Sequence, residues 1–233
     1  MFKTPAPSRS VTLIELFGAP GAGKTTLGNA IAARTTVRTR HQLSDVWKEQ
    51  SLATRAAYIV RGFSRIDCIW PAARFALRCR FQKDSIAHLV RVIAKTEWIK
   101  SRNETVLLDQ GFLQNLWSSL YASNCTDAAD VLTPLIRSIY GRIDVLIIFI
   151  DVHVETAASR IGERTYGRSR LDGLPEKERL VSLDRAAQLP QRIIDAARAA
   201  GLRIVTLDGS NSVDDLVKQV LPTIAKQAKD ARR

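Results

Sequence analysis

The chain has 233 residues, 45% of them apolar and 25% charged, with 35 Lys and Arg against 23 Asp and Glu. That length suits one α/β domain with a sizeable core, and the balance of apolar and charged residues excludes wholesale disorder. The longest apolar runs, Val11–Phe17 and Val145–Ile150, fall far short of the roughly 18 residues that span a bilayer.

Residues 1–10 hold two prolines and no apolar periodicity and read as a flexible terminus; residues 11–233 read as a single domain. Val11–Phe17 predicts a buried strand and Lys24–Arg34 a helix. A short second strand is expected around Val37–Leu43. Residues 45–101 predict helices broken near Gly62 and Pro71. Thr105–Leu108 predicts a third strand, followed by helices over Phe112–Ser123 and Asp127–Tyr140. Val145–Ile150 has the continuous apolar composition of a parallel strand covered on both faces. Glu155–Tyr166 predicts a helix, Gly167–Pro175 a loop, Glu176–Ala200 one further helix, and Arg203–Leu207 the last strand. Ser212-Val213-Asp214-Asp215 resembles a capping box opening the final helix. Strands alternating with helices predict a doubly wound, mainly parallel five-stranded α/β sheet.

No Lys/Arg-led apolar segment with a small-residue cleavage site opens the chain, which argues against secretion. Cys68, Cys79 and Cys125 form no CxxC pair. They point to a reducing cytoplasm rather than a disulfide framework or thiolate zinc site. The positive charge is concentrated. Residues 34–102 hold 15 Lys and Arg against five Asp and Glu, which leaves 20 against 18 for the rest. Such a field attracts nucleic acid, an anionic membrane face or a small anionic substrate, and a solvated face of amphipathic helices explains about half of it without any partner.

One motif is complete. Gly18-Ala19-Pro20-Gly21-Ala22-Gly23-Lys24-Thr25 matches G-x-x-x-x-G-K-[ST], with an apolar strand before it and a helix after it. The glycines let successive N–H groups turn inward toward phosphate oxygens, and the helix N-terminus adds partial positive charge at the same point. In such a loop Lys24 reaches the β- and γ-phosphates, Thr25 supplies a hydroxyl to Mg²⁺, and Thr26 is next to the α-phosphate. A nucleoside triphosphate is the ligand this motif predicts. The chain lacks an Asn-Lys-x-Asp box and a Leu-Ser-Gly-Gly-Gln signature. Small-molecule kinases, sulfate-transfer enzymes and ATP-driven binding modules remain.

Other residues add chemistry to the loop. Asp109 ends a predicted buried strand, at the sheet edge where ligands gather. It is a candidate for ordering the metal or taking a proton, with a helix N-cap as the alternative. Arg160 and Arg164 lie one helical turn apart and repel unless an anion sits between them. With Arg168 and Arg170 they suit a lid over transferring phosphate. Asp45, Glu49 and Asp67 are secondary candidates for a base. His41, His88 and His153 stand without metal-ligand spacing, and the four tryptophans read as packing residues.

These segments together resemble the P-loop nucleoside and nucleotide kinase superfamily, nearest to the thymidylate kinase-like group, while the loop also reads like that of adenylate kinases. Val106-Leu107-Leu108-Asp109-Gln110-Gly111 resembles the strand ending in Asp-Arg that faces the transferred phosphate. Asp144–Asp151 followed by Glu155–Arg164 resembles the approach to the arginine lid, here 160–175. Ile204-Val205-Thr206-Leu207-Asp208-Gly209-Ser210 resembles the last strand and the loop bordering adenine. The resemblance implies a transferase using ATP and Mg²⁺. Lys24, Asp109, Arg160 and Arg164 would be catalytic, Gly18 to Thr26, Arg160, Asp208 and Gly209 would bind nucleotide, and Thr25 and Asp109 would hold the metal. Residues 34–102 would form an acceptor-side insert, and a homodimer is compatible with this reading. Thymidylate kinases carry an acid where Pro20 stands and Asp-Arg where Asp109-Gln110 stands. Those departures argue against dTMP and widen the acceptor to a nucleotide, nucleoside, sugar or other alcohol. The rival readings are an ATP-dependent switch whose basic segment binds nucleic acid or membrane, and a sulfotransferase.

Overall fold

Strand β1 (Thr12–Gly18) lies at the centre of the sheet, paired in parallel with β3 (Thr105–Leu108) on one side and β4 (Asp144–Asp151) on the other. Two further parallel strands, β2 (Arg38–Thr39) and β5 (Arg203–Asp208), complete the order β2-β3-β1-β4-β5. A computed structural model describes residues 12–64, 66–80, 83–102, 104–125, 129–141, 143–163 and 171–230. Parallel neighbours need crossover connections. Helices supply them: α1 (Lys24–Ala32), α2 (Arg40–Glu49), α3 (Leu52–Phe63), α4 (Ile66–Arg78) and α5 (Lys83–Lys100) precede β3. Helices α6 (Phe112–Ala122) and α7 (Ala129–Tyr140) lead to β4. Next come α8 (Val154–Gly162), α9 (Glu176–Arg185) and α10 (Gln188–Ala199), then β5 and α11 (Val213–Asp230).

The period of two in the strands sorts the core into two layers. Leu13, Phe17, Val106, Val145, Ile147 and Phe149 face α5, α6, α7 and α10. Ile14, Leu16, Leu107, Leu146, Ile148 and Ile150 face α1 and α11. Each fully buried Leu, Ile or Phe contributes about 1.5–3 kcal/mol by leaving water, which is why β1 and β4 are apolar on both faces. A smaller cluster, including Ala157, Ile161, Leu171 and Leu183, ties α8 to α9.

Four features differ from the sequence expectations. The second strand is only Arg38–Thr39, because Thr39 N–H donates to Gln42 Oε1 at 2.9 Å and opens α2. Helix α4 runs through Pro71; the carbonyl one turn earlier belongs to Asp67, an exposed residue that water reaches. The helix expected over 176–200 is two helices. Pro190, in the first turn of α10, has no N–H to offer the carbonyl of Ala186, which accepts from Leu189 instead. Trp70 is 68% exposed on α4 rather than packed, unlike Trp47, Trp98 and Trp117. The cap expected at α11 is present, with Asp215 N–H donating to Ser212 Oγ at 3.2 Å. None of the three cysteines is in a disulfide. Among the described residues, no helix is long and apolar enough to cross a membrane.

Candidate phosphate-binding and acceptor site

Strand β1 delivers the chain at Gly18 into a turn closed by Ala22 N–H donating to Ala19 O at 3.1 Å, and α1 starts at Lys24. Gly21 and Gly23 both have φ +87°, a conformation that side chains resist. At Gly21 a Cβ would also meet the backbone of Ala157, 2.9 Å from its Cα. The loop therefore rests directly on α8. Beside Gly23, by contrast, a Cβ would meet nothing within 4 Å, so the mouth of the loop is open. No acidic residue occupies the first turn of α1, which leaves the positive end of that helix unneutralised. Lys24 is buried and folds across the loop, its Nζ donating to Gly18 O and Ala19 O, both at 2.8 Å. Thr25 and Thr26 are exposed next to it.

Asp109 reaches this loop from β3. Thr25 Oγ1 donates to Asp109 Oδ2 at 2.9 Å. Arg40, the first residue of α2, brings its Nε to 2.7 Å from Asp109 Oδ1, and its guanidinium also donates to Gln110 Oε1 at 2.9 Å. The Arg40–Asp109 contact is an ion pair without hydrogen-bond alignment: Oδ1 is buried and makes no hydrogen bond. Asp109 does not cap α6. The N-cap there is Gly111, with no side-chain bond.

The capping role falls to Glu15, in the middle of β1. It points into the apolar layer between Leu13 and Phe17, fully buried. Its Oε1 accepts from Leu113 N–H at 2.7 Å, and its Oε2 accepts from the Tyr140 hydroxyl. A Cβ on Gly111 would come within 2.6 Å of Glu15 Oε1, so only glycine lets α6 begin this close to the carboxyl. Burial pushes Glu15 up from 4.5 to about 7, against the opposing pull of Tyr140 and of the amides of residues 112–114. The same burial, together with the neighbouring Glu15, holds Tyr140 well above the usual phenol range.

The remaining candidates are less gathered. Arg160 is half-buried in the last turn of α8, one turn beyond the Ala157 contact with the loop. Arg164, Arg168 and Arg170 lie outside the described residues. Asp208 ends β5, beside Asp151 at the end of β4, and Gly209 follows it, its N–H donating to Asp151 O at 2.6 Å. Asp208 Oδ1 accepts from the Ser210 hydroxyl at 2.7 Å and its N–H at 2.9 Å, bonds that hold its carboxyl below the usual range. Asp45, Glu49 and Asp67 are exposed on the helical insert. His41, His88 and His153 are all exposed, His88 at the edge of a cavity beside Asp109. That cavity, about 240 Å³, opens between α2, α5, β3 and α6 and includes Arg40, Gln110 and Gly111 in its wall.

No family model matches the chain, and no curated protein matches it. Solved structures do. A deoxyadenosine kinase from M. mycoides with bound dATP is 16% identical, with a TM-score of 0.56, and covers 91% of this chain and 99% of its own. The same kinase with the products dCMP and a flexible dCDP bound is 17% identical, with a TM-score of 0.53, and covers 92% and 99%. The chain shares the α/β fold of these kinases. Sequence reasoning singled out the loop and Asp109, which the structure brings together, but missed Arg40 as the partner of Asp109, and Glu15 beneath α6. A lone acid inside an apolar strand was the available signal for Glu15. For Arg40 the sequence offered only one base among 15.

Proposed function

We propose that the chain is an ATP- and Mg²⁺-dependent phosphotransferase of the P-loop kinase type, acting on a small-molecule acceptor held between α2, α5 and α6. The observation that carries this reading is the 2.9 Å bond between Thr25 and Asp109, 84 positions apart, which ties the glycine loop to the strand end whose neighbours Leu108 and Gln110 line the cavity. The likeness of the fold to kinases with bound dATP and dCMP supports the same reaction class. The thymidylate kinase-like subtype rests on the sequence resemblance alone.

The residues present fit both ligands. The open glycine mouth, the α1 N-terminus and the Lys24 ammonium suit a chain of phosphates. A threonine hydroxyl hydrogen-bonded to a carboxylate offers hard oxygen donors, the kind Mg²⁺ takes alongside water and substrate phosphate. Thr25 and Asp109 would hold the metal, which when bound would neutralise charge on the transferring phosphate. Lys24 exchanges its two loop carbonyls for phosphate oxygen, and Arg160 adds positive charge from the α8 side. Asp109 accepts the hydroxyl proton as the acceptor oxygen bonds to the transferred phosphorus and ADP leaves with the electron pair. Positioning and electrostatics carry the rate, with no covalent enzyme intermediate.

Labelled ATP and a panel of nucleosides, nucleotides and sugars give the test. Turnover with one of these acceptors is expected to fall by about 10²–10³-fold or more in Lys24→Ala, with an unchanged circular dichroism spectrum. Normal turnover in that variant refutes the mechanism. ATP consumption that needs an oligonucleotide rather than a small acceptor favours the switch reading instead.

A further inference from the structure

The cavity beside Asp109 combines aromatic and cationic lining. Trp47, Trp98, Phe112 and Tyr140 contribute rings, and Arg40, His88, Arg91 and Lys95 contribute bases. Asp and Glu are absent from its lining among the described residues. The nearby acids are engaged elsewhere. Asp109 holds Thr25 and Arg40, Glu15 holds Tyr140 and the α6 amide, and Glu97 on α5 pairs with Lys100 and Arg61.

His88, Arg91 and Lys95 are spaced i, i+3 and i+7 along α5, so they stand above one another on the helix face that lines the cavity. The like charges of Arg91 and Lys95, one helical turn apart, repel. Burial first, then Arg91, Arg40 and Lys48, hold the Lys95 ammonium below its ordinary range. This stack, with Lys95 half-buried and His88 and Arg91 exposed at the edge of a cavity whose described lining holds no carboxylate, is matched by an anion, and by a phosphate dianion best of all.

We infer that this cavity takes an acceptor that already carries a phosphomonoester, gripped by Arg91 and Lys95 of α5, with its remaining body against the tryptophans and its free oxygen toward Asp109. The inference rests on the phosphotransferase reading and adds the class of acceptor to it. Acceptors lacking that group leave the α5 bases unmatched and bind less well.

The test uses matched pairs on the full chain: adenosine and AMP, thymidine and dTMP, glucose and glucose 6-phosphate. Calorimetry at low salt, with a non-hydrolysable ATP analogue and Mg²⁺ present, reads both acceptor and nucleotide binding. The phosphorylated member of at least one pair is expected to bind about tenfold or more tightly than its neutral partner, since bonds between charged groups are the strong ones. Arg91→Ala and Lys95→Ala are each expected to cut that preference by about tenfold, leaving analogue affinity unchanged. Lys95→Gln, close to lysine in length, replaces the alanine variant if that one unfolds. Equal binding within every pair, no binding by any member, or a preference that survives both substitutions overturns the inference. If the analogue also fails to bind, the phosphotransferase reading falls with it; if the analogue binds normally, only the anionic acceptor is lost.

Discussion

Glu15→Gln isolates the one carboxyl buried in the sheet. The wild-type carboxyl has a folded pKa of about 7 against 4.5 when free. An acid whose folded value is raised holds its proton more tightly in the native state. Its contribution to stability is therefore complete below 4.5 and is lost as the pH climbs through about 7. Between those limits the folded state binds one proton more than the unfolded chain, and stability falls by about 1.4 kcal/mol per pH unit. The whole window amounts to about 3 kcal/mol, a large share of the 5–15 kcal/mol that a domain commonly has. Glutamine keeps an oxygen for Leu113 N–H, and its amide can donate to the Tyr140 oxygen, but it does not titrate. Urea unfolding of both proteins at half-unit steps from pH 4.5 to 8.5 reads the difference, with equal m values as the control. Wild type is expected to lose ground to the variant steadily up to about pH 7 and then to run parallel. Other titrating groups cancel in the subtraction. Curves that are parallel throughout would show that the amides of α6 outweigh burial, and the reasoning about Glu15 would fail.

Two further outcomes follow from the loop and its neighbour. Asp109→Asn keeps an oxygen for Thr25 but loses the charge facing Arg40, so turnover is expected to fall about 10²-fold or more and to need more Mg²⁺. Initial rates against Mg²⁺ concentration check this, and an unchanged Mg²⁺ response counts against Asp109 as a metal residue. Gly21→Ala forces a side chain into left-handed backbone and against Ala157. It is expected to cost about 1–3 kcal/mol and most of the nucleotide affinity, seen as a lower melting temperature that ATP no longer raises.

What the sequence made legible was local. The glycine loop, β3 at Thr105–Leu108 and the apolar β4 announce themselves within a few residues, because each is set by its own backbone needs or by burial on both faces. Asp109 followed from its place at a strand end. Features that depend on distant partners stayed hidden. Arg40 looks like any base of the insert until β2 stops after two residues and delivers it to Asp109. Glu15 breaks the apolar run of β1, and its reason lies in α6 and Tyr140, about a hundred positions on. Two smaller misses did have local signals. Thr39-x-x-Gln42 is a capping pattern, and Pro190 marks a helix start. Of the proposed lid arginines, only Arg160 falls on described residues.

The outer border of the sheet on the β2 side is two residues long, one of them Arg38, paired to Glu104 at 2.8 Å. A foreign strand seeking a template finds almost no unpaired backbone there before α2 turns away. The brevity that brings Arg40 to Asp109 thus also blunts the margin where parallel sheets are most open to edge-to-edge aggregation.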